Sequence, residues 1–161
     1  MIEILVDDSA FRACLKRLEE AAENLQPVME DIGGDLEAAV RARFLTRSDP
    51  NGQPWKAWQP RTKTSYPYPG TVAAKKAGKA GSGRLLDRFG DMLESLNYDA
   101  TGDSVRVGFG QHYAVFHEFG TKKMARRGML LGDTGAGKLG ADDEQAVMGI
   151  LQARLDRASK G

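Results

Sequence analysis

The residues from Gly132 to Leu139 come closest to a known nucleotide-binding motif. The sequence Gly-Asp-Thr-Gly-Ala-Gly-Lys-Leu has the glycine spacing of a P-loop, whose backbone N–H groups and lysine surround nucleotide phosphates. The serine or threonine that binds Mg²⁺ in that motif is replaced by Leu139, which has no oxygen to offer a metal. Gly140 then follows where a helix should begin, and no alternation of strands and helices is predicted around it. The sequence therefore favours a flexible glycine-rich loop over a nucleotide site.

Two histidines, His112 and His117, are the candidates for metal coordination. They lie five residues apart, whereas zinc-binding histidines on a helix lie four apart, and odd spacings on a strand face opposite sides. The single cysteine, Cys14, is remote from both and is predicted to be a small buried residue of a helix. It excludes an intramolecular disulfide and fits a reducing compartment. We predict that the histidines make local hydrogen bonds and that no metal or other cofactor is bound.

The side chains of a hydrolase or transferase site are not assembled in the sequence. No serine lies in the Gly-x-Ser-x-Gly context of a nucleophile elbow. Adjacent carboxylates occur at Asp7-Asp8 and at Asp142-Asp143-Glu144, and both groups precede predicted helices, where capping explains them. No combination of nucleophile, base and oxyanion donors is recognisable, so the chain is not expected to be an enzyme.

A basic stretch at residues 56–88 is the candidate for nucleic-acid binding. It carries a net charge of +7, residues 1–37 carry −7, and the whole chain carries +1. The aromatic residues Trp55 and Trp58 precede the lysines rather than alternating with them. This order argues against a site where the bases of single-stranded nucleic acid stack on aromatic rings. A nucleic-acid-binding accessory protein remains the alternative function. The opposed charges could also attract each other within a subunit or between copies, or both could be solvated faces.

The hydrophobic periodicity predicts an α+β fold in a single domain spanning residues 1–161. We predict a small antiparallel sheet packed against a long N-terminal helix and a C-terminal helix, with an extended Pro/Gly/Lys-rich loop at 48–84. No apolar run approaches the roughly 20 residues of a membrane span, and the N-terminus does not resemble a signal peptide. The predicted elements, in order, are a strand at Ile2–Val6, helical residues 9–46 with one break, a short helix after Leu85, a hairpin with Val105–Phe109 as second strand, an aromatic stretch at Tyr113–Phe119 and a helix beginning at Asp142.

Five short segments occur in a recognisable order. They are Arg43-Phe44 with Asp49-Pro50-Asn-Gly52-Gln-Pro-Trp55, Trp58, Pro60 and Thr62; Leu86-Asp-Arg-Phe-Gly90-Asp-Met-Leu-Glu-Ser95; Val105-Arg-Val-Gly108; Tyr113-Ala-Val-Phe-His117-Glu-Phe-Gly120; and Arg127-Gly-Met-Leu-Leu-Gly132. Across roughly residues 40–155, this order resembles the phage virion morphogenesis family, also described as Mu-type morphogenesis or tail-completion proteins. Two departures are that Ala125-Arg126-Arg127-Gly128 lacks the prolines of the family's Pro-Ala-Arg-Pro, and that Arg88-Phe89 stands where Thr-Gly is usual.

The resemblance implies a structural protein of the head–tail junction or tail end of a phage or prophage. Such a protein is found in the virion, and in the cytoplasm of the bacterial host during assembly. Related tail-terminator proteins form rings, commonly hexameric, that cap the tail tube and face the neck. The implied partners are further copies of the chain, the tail tube protein and neck or connector proteins, with no membrane partner. Genomic DNA passing through such a ring would meet only nonspecific electrostatics.

The interface residues are expected within the segments that carry the resemblance and in the basic stretch. Trp55 and Trp58 are predicted to anchor the long loop on the body or on a neighbouring copy, so that Trp55→Ala lowers assembly more than folding. A sheet edge and its turn are predicted to be shaped by Tyr113, His117, Glu118, Phe119 and Gly120, the alternative being ordinary core and turn. The candidate interface residues are Trp55, Trp58, Lys75, Lys76, Lys79, Arg84, Tyr113, His117, Glu118, Phe119, Gly120 and Arg126.

Overall fold

The computed structural model describes residues 9–60, 85–86 and 89–160, and within them the chain has the predicted α+β fold. The predicted strand at Ile2–Val6 and the part of the long loop beyond Pro60 lie outside the described residues. Among the described helices, none is both long and apolar enough to cross a bilayer. The elements are α1 (Ser9–Glu23), α2 (Gln26–Thr46), α3 (Asp91–Glu94), β1 (Leu96–Ala100), β2 (Val105–Phe109), α4 (Ala114–Phe119) and α5 (Ala141–Lys160).

The break predicted in the N-terminal helical region falls between α1 and α2, just before Pro27. Proline is accepted in the first turn of α2 because the N–H it lacks has no helical partner there. The helix is capped after Thr46 by Arg47, which has a left-handed backbone with φ of 59° and donates its N–H to the carbonyl of Arg43 at 2.7 Å. The Arg47 carbonyl then accepts the N–H of Trp55 at 2.7 Å. This cap returns the chain to the end of α2 within eight residues.

The described part of the sheet is an antiparallel hairpin that lies on α2. Leu96 of β1 pairs with Phe109 of β2, and Ala100 pairs with Val105 at the turn end. A hairpin alone is marginally stable in water, so its inner face has to be covered. The core that covers it is formed by α2, by β1 and by the segments of chain that follow α2 and precede α5. Its buried residues are Val40, Phe44, Trp55, Met92, Leu96, Ala114 and Met129.

The C-terminal helix α5 packs against both α1 and α2. The guanidinium of Arg17 on α1 donates to the carbonyls of Ala158 at 3.1 Å and Ser159 at 3.4 Å. These carbonyls belong to the last turn of α5, where they lack partners within the helix, so a cation is favourable there. The acidic residues predicted to open this helix, Asp142, Asp143 and Glu144, do lie in its first turn.

Two adjacent glycines in α2 have different surroundings. A Cβ atom on Gly33 would collide with the ring of Tyr98 on β1, so the absence of a side chain allows the helix and the sheet to approach closely. Around Gly34, no heavy atom lies within 4 Å of the position that a Cβ would take. The same substitution at the two positions therefore separates helix propensity from packing.

We expect Gly34→Ala to raise the free energy of unfolding by about 1 kcal/mol, because glycine is the less favourable residue inside a helix. Gly33→Ala gains the same helix propensity but should lower the free energy of unfolding, because the Tyr98 ring has to move to make room for the Cβ atom. Urea unfolding followed by circular dichroism measures both variants. Equal effects at the two positions would contradict the packing of α2 on β1.

Candidate functional site

Residues 126–131, here called the buried segment, overlap the last of the five motifs that carry the resemblance. They form neither helix nor strand, and Met129 within them has no exposed surface. Backbone donors and acceptors in such a segment have to be paired by other groups, because leaving them unpaired away from water is costly. The side chains that pair them come from three other parts of the chain, at Arg43, Trp55 and Glu118, so the segment joins these parts of the fold.

Glu118 on α4 is the main acceptor for the buried segment. Glu118 is 4% exposed, and its carboxylate accepts the N–H groups of Met129 at 2.6 Å, Leu130 at 3.0 Å and Leu131 at 3.0 Å. The guanidinium of Arg126 lies 3.5 Å from Oε1 and donates through Nε to the Glu118 carbonyl at 3.0 Å. A buried carboxylate is tolerated when it is paired and fully hydrogen-bonded, as here. Glu118 therefore fixes α4 to the buried segment.

Arg43 near the end of α2 joins the buried segment to α5. Its Nη1 donates to the carbonyl of Met129 at 2.8 Å, and its Nη2 donates to the carboxylate of Asp143. Arg43 is 8% exposed and Asp143 is 4% exposed, so the pair is inside the protein. From the sequence pattern, Asp143 is predicted only to cap a helix, and Arg43 is named only as part of the family motif, with no role in a site. The available signal was that Arg43 follows Val40 by three residues, within the apolar stripe of its helix.

Trp55 packs into the body of its own chain, which is one of the two positions predicted for it. Its ring meets Phe44 edge-to-face with centroids 5.4 Å apart, and its indole N–H donates to the carbonyl of Gly128 at 2.9 Å. It is 7% exposed, whereas Trp58 is half-buried. A core position changes the expected effect of Trp55→Ala, since folding rather than assembly is lost first.

Arg127 secures the chain that follows Trp55 and lies beside His117. The Arg127 guanidinium donates to the carbonyls of Lys56 at 2.7 Å and Ala57 at 3.1 Å. The backbone N–H of Arg127 donates to the carbonyl of His117 at 2.8 Å. Burial, together with the positive charge of Arg127, lowers the pKa of His117 to about 4. Burial also lowers the pKa of Arg127. The imidazole is therefore neutral in the folded protein near pH 7.

This neutral imidazole makes folding stability depend on pH. Between its ordinary pKa of 6.5 and about 4, the unfolded chain binds a proton that the folded chain does not. We expect the free energy of unfolding to fall as the pH decreases through that window and to level off below it. His117→Gln should remove this part of the slope in urea titrations at a series of pH values. A variant with the wild-type slope would contradict the burial of a neutral imidazole.

The P-loop-like segment is a turn closed on itself. Oδ1 of Asp133 accepts the N–H groups of Gly135 at 2.8 Å and Ala136 at 3.1 Å, and these bonds lower the pKa of Asp133. Backbone bonds between Asp133 and Lys138 close the turn, and α5 begins only at Ala141. The N–H groups that would surround a phosphate in a P-loop are thus directed at the segment's own carboxylate, which disfavours nucleotide binding.

The Asp-Pro-Asn-Gly turn at residues 49–52 docks on that closed turn. Asp49 accepts the N–H groups of Asn51 at 2.9 Å and Gln53 at 2.8 Å, which shapes the turn. The side-chain amide of Asn51 then donates to the carbonyl of Gly132 at 3.0 Å. A Cβ on Gly140 would collide with the backbone of Pro50, so the contact requires glycine there. Two turns distant in sequence therefore form one surface feature next to the first turn of α5.

The prediction of a sheet edge at Tyr113–Phe119 is wrong, because residues 114–119 form the helix α4. Its buried positions, Ala114 and Glu118, lie four apart as in a helix, whereas Val115, Phe116 and Phe119 are 48%, 50% and 55% exposed. Gly120 ends the helix with a φ of 72°, and a Cβ there would crowd the backbone of Arg126. The backbone role predicted for Gly120 thus occurs at a helix end instead of a sheet turn.

The structure brings some of the predicted interface residues together and leaves others apart. Trp55, Glu118 and Arg126 meet at the buried segment, and Tyr113 and His117 have ring centroids 6.5 Å apart. Phe119 is directed outward on α4. No cluster of potential metal ligands occurs among the described residues. The basic candidates that lie outside the described residues are Lys75, Lys76, Lys79 and Arg84.

Comparison with protein-family models matches residues 6–156 to the phage virion morphogenesis family. The chain belongs to this family. The match extends from before α1 to near the end of α5, so every contact of the buried segment described above lies inside the family region. A virion morphogenesis protein has a structural or assembly role in a phage particle. Searches of curated proteins and of solved structures give no match.

Proposed function

We propose that this virion morphogenesis protein completes or terminates the phage tail by forming a ring, of hexameric size, that allows the head to join. The family supports a role in assembly. The observation that carries the proposal is the outer face of α4, where Val115, Phe116 and Phe119 are each about half exposed. Contiguous exposed apolar side chains typically mark protein-binding surfaces, and aromatic residues are enriched at their centres.

The outer face of α4 is held rigidly from behind. Glu118 lies on the opposite side of the same helix and is bonded to three consecutive N–H groups of the buried segment. Gly120 lets the chain turn back so that Arg126 reaches the Glu118 carbonyl. A surface already held in its binding conformation loses less entropy on association, which favours docking of another protein chain.

The proposed activity consists of contacts between proteins and includes no catalytic step. The partners are further copies of the chain, the tail tube protein and the neck or connector proteins. Genomic DNA would pass the ring without base-specific contacts. The protein acts in the tail or neck of the virion and, during assembly, in the cytoplasm of the bacterial host.

The mass of the full chain in solution and on tail tubes tests this function. Sedimentation and native mass spectrometry should detect monomers at low concentration and one discrete oligomer at high concentration or on purified tail tubes. Electron microscopy should place the oligomer at one end of the tube. A chain that stays monomeric at its highest soluble concentration and does not bind tubes would contradict the proposal.

A further inference from the structure

We propose that copies of this chain associate head to tail, with the outer face of α4 in one copy docking on the exposed stripe of α5 in the next. The inference rests on the self-association proposed above and identifies the two surfaces that it uses. The α4 face of one copy is thus occupied by a second copy. That second copy makes the contact through its α5 and not through its own α4.

The first surface combines apolar area with positive charge. Val115, Phe116 and Phe119 are exposed on α4, and Val115 and Phe119 also line a groove of about 280 Å³ beside it. After Phe119, Gly120 and Thr121 lead into an exposed turn that carries Lys122 and Lys123. The turn is closed by the Thr121 N–H, which donates to the Met124 carbonyl at 2.8 Å. Within the described residues, no carboxylate lies at ion-pair distance from either lysine.

The second surface combines apolar area with negative charge. Met148 and Leu155 on α5 are 63% and 51% exposed, and their spacing of seven places them on one side of the helix. Glu144 lies four residues before Met148 on that side and is exposed, and α5 has no basic residue before Arg154. The opposite side of α5 faces α1 and α2. The stripe formed by Glu144, Met148 and Leu155 is therefore directed away from its own chain's helices.

Charge decides which surfaces meet. Two α4 faces in contact would bring lysines against lysines, and two α5 stripes would bring glutamates into the same interface, so both symmetric pairings are disfavoured. Pairing α4 with α5 places apolar side chains on apolar side chains and lysines near glutamate. A pair of copies joined in this way still has one free α4 face and one free α5 stripe, so further copies can add by the same contact. The chain of copies closes into a ring when the rotation between neighbours permits.

Complementary double variants test the head-to-tail contact. Phe116→Asp with Phe119→Asp removes the α4 face, and Met148→Asp with Leu155→Asp removes the α5 stripe; all four side chains are half exposed or more, so folding should survive. Under conditions where the wild type assembles, each double variant alone should remain monomeric. An equimolar mixture should form a 1:1 dimer and nothing larger, because one intact pair of surfaces remains.

A charge reversal and a matched control complete the test. Lys122→Glu with Lys123→Glu should weaken association at least tenfold, and mixing it with a Glu144→Lys copy should recover part of that loss. Leu45→Asp is the control, because Leu45 is 75% exposed on α2 but lies on neither surface, and this variant should assemble like the wild type.

The contrary outcomes distinguish this inference from the function on which it rests. A mixture of the double variants that stays monomeric, or a single double variant that assembles like the wild type, would overturn the α4–α5 contact. The proposed function would survive either result, since the wild type still assembles. A wild-type chain that never associates would contradict the proposed function and the contact together.

Discussion

Glu118→Gln is expected to lower the free energy of unfolding by about 3 kcal/mol, because buried backbone N–H groups lose a charged acceptor. The amide that replaces one carboxylate oxygen would direct its own N–H groups at backbone N–H groups of the buried segment. At least one of the bonds to Met129, Leu130 and Leu131 would then be lost. Arg126 would also lose the charge that it faces at 3.5 Å.

Urea unfolding of Glu118→Gln beside Glu19→Gln gives the measurement and its control. Glu19 is exposed on α1, so neutralising it should change the free energy of unfolding by less than about 0.5 kcal/mol. Similar values for the two variants would show that the Glu118 carboxylate does not hold the buried segment.

Trp55→Ala is expected to lower the free energy of unfolding by about 3 to 5 kcal/mol, as for other large core aromatics. The variant loses the packing on Phe44 and leaves the Gly128 carbonyl without its donor. Trp55→Phe separates the two contributions, because it keeps a ring against Phe44 and removes only the N–H. That variant should lose about 1 to 3 kcal/mol, the cost of one unsatisfied buried acceptor.

These values replace the expectation from sequence that Trp55→Ala affects assembly more than folding. Thermal unfolding of the monomer and sedimentation at high concentration should show stability and assembly falling together. A variant with wild-type stability that no longer assembles would restore the interpretation of Trp55 as an interface residue.

The helices and the hairpin could be predicted because their signals are local. The spacing of apolar residues from Val28 to Phe44 follows one helical face, and the alternation at Val105–Phe109 follows one face of a strand. The helix α4 was missed because its aromatic and β-branched residues favour strands, and six residues are too few for a clear period. Its only helical signal was the separation of Ala114 from Glu118, which is visible once burial is known.

The buried segment could not be predicted because its partners are distant in sequence. Arg43 meets an acid 100 residues away, and Trp55 meets a carbonyl 73 residues away. Local patterns contain no information about such pairs. Residue types alone predict a helix cap for Asp143 and a sheet edge for Glu118. In the folded chain both residues are buried, where Asp143 pairs with Arg43 and Glu118 accepts N–H groups of the buried segment.

The arrangement around Met129 has a geometric consequence for any assembly of this chain. Glu118 carries α4 and bonds to the Met129 N–H, while Arg43 bonds to the Met129 carbonyl and to Asp143 of α5. The orientation of α4 relative to α5 is thus determined through the backbone of Met129 and three charged side chains, those of Glu118, Arg43 and Asp143. If neighbours meet through these two helices, the rotation from one subunit to the next is set inside each subunit. The number of subunits that closes the circle would then be a property of the monomer.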